Sequence, residues 1–426
     1  MTEDTPFTSV IIPTHNRMES VRRILDSLCN QRSCPQRFEV LIVADGCTDG
    51  TVDMLHNYEA PFPLHIIEQA HQGPANARNN GASRAVGPLL IFLDDDIETA
   101  PSLVEAHVHA HQRWPNHVVI GYLPPVLKNQ TGFFLFTLRN WWAAMFDVMR
   151  QPGHRYAYND LLSGNFSIQT ELFKRIGKFD PSFRCHEDYE LGVRLIKAGI
   201  SFIFMPAAMG YHHENTDIKR SLHRKYQEGK ADILLGQIHP ELRSILPLIR
   251  LQLSSSTLGS LMCNLAFRFP ALSNNFVTCL RHVLAVFEYA RLYRRWQQLL
   301  DFLLAYSYWL GVASELGTQK RLSELVRDAL NHKDENHFEI EIDLRGGLEA
   351  AERQVDEQRP ASIRIRYGQY SLGCIPPQQG AERLRGIHLR RTLATDLSKP
   401  LLRALALEGM IDVPFHLNRL CERMSG

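Results

Sequence analysis

The sequence predicts an α/β fold: a mostly parallel sheet flanked by helices, then a helical region and a small α+β C-terminal module. Three observations predict it. Short β-branched runs alternate with helical faces from Phe7 to Leu93, the pattern turns helical after Thr216, and a two-residue alternation returns near His337.

The elements follow in order. "FTSVIIP" (Phe7–Pro13) reads as a strand, and Met18, Val21, Ile24, Leu25 and Leu28 mark one face of the helix after it. "FEVLIVADG" (Phe38–Gly46) and "LHIIEQ" (Leu64–Gln69) are further strands. "PANARNNGASRA" is a helix leading into a buried fourth strand, Leu89–Leu93. Such alternation gives a parallel sheet covered on both faces, with ligands at the strands' C-terminal edge. "HVVIGYL" (His117–Leu123) is another strand, followed by an aromatic-rich stretch, a helix from about Glu187 to Ala198 and a strand through Ile203. From His337, "HFEIEIDL", a charged helix and "SIRIRY" form a β-α-β unit with a helical tail. The expected domains are therefore 7–215, 216–335 and 336–426.

At 426 residues the chain exceeds one ordinary core. Its 44% hydrophobic and 22% charged content suit a soluble globular protein. With 47 basic against 46 acidic residues, a general nucleic-acid binder is excluded as a class. Cysteines 29, 34, 47, 185, 263, 279, 374 and 421 form no CxxC pair, which points to reduced thiols in a cytoplasmic protein. The acidic "MTEDTPFTSV" is no secretory signal. Leu251–Phe267 is too rich in serine, and Phe302–Ser314 too short, to span a membrane.

The fourth strand ends in Asp94, Asp95 and Asp96. Two carboxylates about 5 Å apart repel by roughly 3 kcal/mol at an effective dielectric near 20, so a divalent cation explains the cluster better than a solvated loop before Pro101. Three more segments fall on the same edge: "PTHNR" (Pro13–Arg17), Asp45 within "ADGCTDGT", and "GPANARNNG" (Gly73–Gly81). Farther on, "HEDYELGVRL" puts Glu187 and Asp188 in the first turn of a helix, and "GYHHEN" puts His212 and His213 past a strand.

Taken together, "VIIPTHNR", "VLIVADGCTDGT", "GPANARNNG", "IFLDDDI", "SGNFSIQTELFKRIGKFD" and "HEDYELGVRL" resemble the inverting glycosyltransferases of family 2, with the A-type nucleotide-sugar fold, over roughly residues 7–215. The resemblance implies that Pro13, Thr14 and His15 line the nucleotide base, that Asp45 accepts a hydrogen bond from base or ribose, and that Arg78 and Asn79 lie beside the nucleotide. Asp94 and Asp96 become a D-x-D pair holding Mg2+ or Mn2+ against the diphosphate, with Asp95 at the nucleotide and His212, or His213, approaching from the far side. Asp188 becomes the catalytic base, with Glu187 beside it. A carboxylate in a helix's first turn is stabilised as an anion, which weakens it as a base unless burial offsets the effect.

The implied partners are a nucleotide-sugar donor and a hydroxyl acceptor, with no nucleic acid. Two competing readings are a non-catalytic nucleotide-sugar-binding scaffold and a sugar nucleotidyltransferase; the latter wants a glycine-rich loop that "PTHNR" lacks. The aromatic stretch Thr131–Arg150 reads as packing, with a membrane-interface contact through Trp141 and Trp142 as the sharper alternative. The basic helices after Ile218 read as solvated faces, although "RLYRRWQQLLDFLL" has the mix of a peripheral membrane anchor.

Overall fold

The computed structural model describes residues 7–32, 37–126, 132–253, 257–269, 273–331 and 338–411. The N-terminal acidic residues, Cys34, Thr131, Ser254–Ser256, His337 and the end of the expected helical tail, with Cys421, lie outside the described residues. The chain forms two compact units: Met1–Met149 with Tyr156–Lys333, and Arg150–Arg155 with Asp334–Gly426.

In the first unit eight strands form one sheet. They are β1 (Thr8–Thr14), β2 (Phe38–Asp45), β3 (Leu64–Gln69), β4 (Leu89–Leu93), β5 (Ile97–Thr99), β6 (Val118–Tyr122), β7 (Asn165–Gln169) and β8 (Phe202–His212), in the order β3-β2-β1-β4-β7-β6-β8-β5. β3, β2, β1 and β4 run parallel; β7 is antiparallel to both β4 and β6, and β6 is parallel to β8. β1, β2 and β4 are nearly unbroken apolar runs because helices cover both sheet faces. Their register pairs Ile11 with Leu41 and with Phe92, which brings the C-terminal ends of all three strands to one edge.

Helices α1 (Met18–Leu28), α2 (Thr51–His56), α3 (Pro74–Arg84) and α4 (Leu103–Arg113) cover this sheet. α1 buries Val21, Ile24, Leu25 and Leu28, the stripe legible in the sequence. α3 buries only small side chains and Arg78, and a Cβ on Gly81 would fall 2.6 Å from Ile11 Cγ2. That close approach lets α3 lie flat on β1 and β2.

The chain continues through α5 (Phe133–Arg150), α6 (Thr170–Ile176), α7 (Glu187–Lys197), α8 (Ile218–Ile238), α9 (Pro247–Leu253), α10 (Thr257–Arg268), α11 (Ser273–Tyr289), α12 (Tyr293–Leu316) and α13 (Gln319–Asn331). α8 and α12 cross at Gly229 and Gly311, where a Cβ on either would collide with a carbonyl of the other helix. A second core gathers Ile233, Leu235, Leu248, Trp309 and Val312 against Val193 of α7. The helical region is thereby packed onto the element that carries Glu187 and Asp188. Among the described residues no helix is long and apolar enough to cross a membrane.

The second unit holds β9 (Glu339–Asp343), α14 (Leu348–Gln358), β10 (Ser362–Tyr367), β11 (Tyr370–Ile375), α15 (Gly386–Ala394) and α16 (Ser398–Leu407). β9 and β10 are parallel around α14, the expected β-α-β unit, but β11 adds a third strand antiparallel to β10. "YSLGCI" lacks a clean apolar alternation, and the turn that creates it needs the positive φ of Gly368. Arg155 belongs to this unit, donating to the carbonyls of Ala361, Pro376 and Glu382.

A buried polar chain underlies the antiparallel half of the large sheet. His107 Nε2 lies 2.9 Å from Asn165 Oδ1, Ser167 Oγ lies 2.8 Å from His107 Nδ1, and His111 Nε2 lies 2.9 Å from the same hydroxyl. Burial drives His107 down to about 4 and His111 down to about 3. Both folded values lie below the usual 6.5, so the unfolded chain binds more protons between them. Stability is therefore complete above pH 6.5 and is lost as pH falls toward 4, by about 3 kcal/mol for His107 alone. Calorimetric unfolding across that window is expected to show a steep fall in melting temperature, flattened in His111→Gln.

Candidate active site

The aligned ends of β1, β2 and β4 face the N-terminus of α7 across a cleft of about 480 Å³. The three aspartates after β4 occupy one wall, and each is held differently. Asp95 accepts a 2.7 Å bond from Thr14 Oγ1 and a 3.0 Å bond from Arg17. Asp96 accepts from Arg17 through Oδ2 at 2.8 Å. Asp94 accepts from Arg78 at 2.6 Å. The repulsion anticipated from the sequence is thus relieved by two guanidinium groups, one on each side.

Burial pushes Asp95 up to about 7, against the opposing pull of Arg17 and Thr14. Burial acts the same way on Asp96, but His212 and Arg17 outweigh it and hold that carboxyl below its usual range. Burial would lower His212, yet Asp96 raises it. Asp96 Oδ1 is nevertheless buried without a hydrogen-bond partner, with His212 Nε2 3.4 Å away. The neighbouring His213 turns elsewhere, its Nε2 2.6 Å from Glu98. Between the two histidines, His212 is the one facing the acidic turn.

Arg78 is the deepest charged group of the site. It lies on α3 and spans from Asp94 to Glu187 Oε1 at 2.8 Å. Burial opposes its charge, but Asp94 and Glu187 keep it firmly protonated. Burial, reinforced by the Asp188 charge, raises Glu187, while Arg78 pulls the other way. Asp188 points into the cleft and accepts from the backbone N–H groups of Ser163 at 3.2 Å and Tyr189 at 2.9 Å. Behind it His186, in the left-handed region with φ 64°, stacks on Tyr189 and reaches Asp232 of α8 at 3.1 Å. Tyr308 of α12 donates to the same carboxylate at 2.6 Å.

At the opposite end Pro13, Thr14, His15 and Asp45 line the cleft, with the His15 and His71 rings 4.3 Å apart. The Asp45 carboxylate accepts from Gln69 Nε2 and from the backbone N–H groups of Gln72 and Gly73, and lies 3.0 Å from His71 Nδ1. Its lone pairs are satisfied within the protein, so it shapes the loop that opens α3. Asn79 does not line the cleft: its amide brackets Phe179, donating to the carbonyl at 2.8 Å and accepting from the N–H at 3.0 Å.

Among the lining residues that the sequence did not assign to the site are Arg17, Arg224 and Trp142. Arg17 stands in the quoted "PTHNR", one turn from the strand end. Arg224 sits in "KRSLHRKY", which reads as a solvated face, yet it lines the cleft beside Asp188. Trp142, from the stretch read as packing, is buried, lines the cleft and meets the His212 ring edge-on at 5.2 Å. Among the described residues no three His, Cys, Asp or Glu side chains converge tightly enough to hold an ion alone. The donor set does fit a hard cation with open positions: an unpartnered carboxylate oxygen on Asp96 beside an imidazole.

Residues 9–177 match the model of glycosyl transferase family 2. A validoxylamine A glucosyltransferase of Streptomyces hygroscopicus subsp. limoneus is 34% identical over 243 residues, covering 50% of this chain and 54% of that protein. An uncharacterised glycosyltransferase of Bacillus subtilis is 28% identical over 254 residues, covering 49% and 64%. The chain thus spans between half and two thirds of the length of these relatives. A mannosyltransferase of Pyrobaculum calidifontis, solved in complex with GDP-Man and Mn2+, aligns with a TM-score of 0.45 at 18% identity, covering 71% of this chain and 86% of that one.

Removing Arg78 leaves two facing carboxylates uncompensated in a buried place. Arg78→Met is expected to destabilise the first unit by about 3–5 kcal/mol in urea denaturation. Adding Glu187→Gln to that variant is expected to restore part of the loss.

Proposed function

We propose that the chain is a metal-dependent glycosyltransferase, moving a sugar from a nucleoside-diphosphate donor to a hydroxyl acceptor with inversion at the anomeric carbon. One observation carries this reading: an acidic turn with an unsatisfied oxygen on Asp96 shares a single cleft with a second, separately held carboxylate on Asp188. Neither a structural turn nor a simple binding pocket requires both.

The proposed roles follow from the contacts. Asp94, Asp96 and His212 would hold Mg2+ or Mn2+. When bound, the cation neutralises the charge that builds on the departing diphosphate. Pro13, Thr14 and His15 border the nucleotide end, and Asp45 sets the loop beneath it. Asp95, tied to Thr14 and Arg17, fixes the turn so that its neighbours face the cleft. Arg78 serves the nucleotide indirectly, by holding Asp94, and Asn79 anchors α3.

Asp188 is the base. As the acceptor oxygen bonds to the anomeric carbon, the bond from that carbon to the diphosphate oxygen breaks on the opposite face. The hydroxyl proton passes to the Asp188 carboxylate, and the diphosphate leaves with the bonding pair. Two backbone donors at the helix N-terminus hold the Asp188 carboxylate in place. A weak base suffices because the hydroxyl acidifies as its oxygen bonds to carbon. Glu187, engaged by Arg78, positions rather than reacts. The six described cysteines are free thiols, which supports a cytoplasmic setting.

Asp188→Asn is expected to lower transfer, or donor hydrolysis, by about 10²-fold or more while nucleotide affinity stays near the wild-type value. Asp96→Asn is expected to lose turnover together with the cation dependence of nucleotide binding. A panel of nucleotide-sugars with Mn2+ provides the assay; full activity in both variants contradicts the assignment, and pyrophosphate release from a sugar phosphate and a nucleoside triphosphate would point to nucleotidyl transfer instead.

A further inference from the structure

One corner of the first unit does not look like ordinary solvated surface. Phe136 of α5, Val286 and Tyr289 at the end of α11, and Leu292 in the turn into α12 are 54%, 61%, 91% and 41% exposed. They are drawn together by contacts beneath them. Glu288 accepts a 2.8 Å bond from the Phe133 N–H at the start of α5, and the Phe133 and Phe136 rings lie 5.0 and 5.9 Å from Tyr293. Four exposed arginines rim the group: Arg139, Arg291, Arg294 and Arg295. Among the described residues none of the four pairs with a carboxylate, and the one acid in their midst, Glu288, is spent on the α5 N-terminus.

We propose that this corner docks the protein on an anionic lipid bilayer. Scattered exposed apolar residues are normal, but a contiguous group rimmed by one sign of charge marks an interaction surface. Aromatic and aliphatic tips suit the boundary between headgroups and acyl chains, and unpaired guanidinium groups suit anionic headgroups. An acidic protein would satisfy the arginines without using a tyrosine as exposed as Tyr289. The contact draws on Arg291, Leu292, Arg294 and Arg295 of the stretch the sequence suggested, but not on its tryptophan or on those of α5. Trp142 and Trp296 are buried, so neither reaches a membrane. Trp141, about 8 Å along α5 from Phe136, lines the cleft. The docking itself stands apart from the proposed transfer chemistry.

Flotation of the full chain with vesicles tests it. Binding is expected with phosphatidylcholine vesicles containing phosphatidylglycerol and not with phosphatidylcholine alone, and it should weaken as salt is raised. The pairs Val286→Ser with Tyr289→Ser, and Arg294→Glu with Arg295→Glu, are each expected to weaken it by about tenfold or more with unchanged thermal unfolding. Tyr289→Trp, which preserves the surface, supplies a readout independent of these variants: its added emission should shift to the blue on contact with anionic vesicles. Absence of flotation, equal flotation with neutral vesicles, wild-type binding by the paired variants, or no shift from Tyr289→Trp would each overturn the proposal. So would light scattering that showed the paired variants dissolving a dimer, since the patch would then serve a second copy of the chain.

Discussion

The site rests on one buried guanidinium. Arg78 bonds Asp94 at the tip of β4 and Glu187 at the start of α7, two groups more than 90 residues apart in sequence. A buried cation between two carboxylates is unfavourable to assemble, and it persists only where geometry is good and each charge has a partner. Once it is in place the rest follows. The acidic turn is pinned at its first residue by Arg78 and at its other two by Arg17, which leaves Asp96 Oδ1 without a hydrogen bond and with only His212 Nε2 beside it, 3.4 Å away. The same clamp sets α7 at a distance where Asp188, the residue after Glu187, opens onto the cleft.

The helical half of the first unit supports that clamp from behind. α7 is packed through Val193 against the core that α8 and α12 share, and those helices approach closely because glycines meet at their crossing. Asp232 of α8, itself held by the Tyr308 hydroxyl of α12, reaches His186 directly beside the paired carboxylates. Residues that look like mere bulk in the sequence thus fix the position of the candidate base.

Much of the sheet was legible because its strands are buried on both faces and its helices carry clean apolar stripes. β1, β2 and β4 stand where unbroken Val, Ile and Leu runs put them, the aspartate turn and Asp45 fall on the expected edge, and Glu187–Asp188 open the expected helix. What the sequence could not supply was partnership. Nothing local marks Arg78 as a bridge to Glu187, because that bond is made only when α3 and α7 meet across the sheet. Asp45 shows the reverse case: its position was legible, but four nearby groups of the protein already occupy its carboxylate. The family resemblance implies a place for Asn79 beside the nucleotide, whereas its amide is engaged by the Phe179 backbone. Arg224 and Trp142 were hidden because basic helices and aromatic runs usually have simpler explanations. β11 escaped because a short hairpin strand without apolar alternation gives almost no periodic signal.

The central claim is that the oxygen left bare on Asp96 serves a cation shared with a nucleotide. Isothermal titration of a nucleoside diphosphate into the protein, with Mn2+ or Mg2+ and then with a chelator, tests it most directly. The account predicts uptake that depends on the cation and loses that dependence in Asp96→Asn. Nucleotide binding indifferent to both the chelator and the substitution would contradict it.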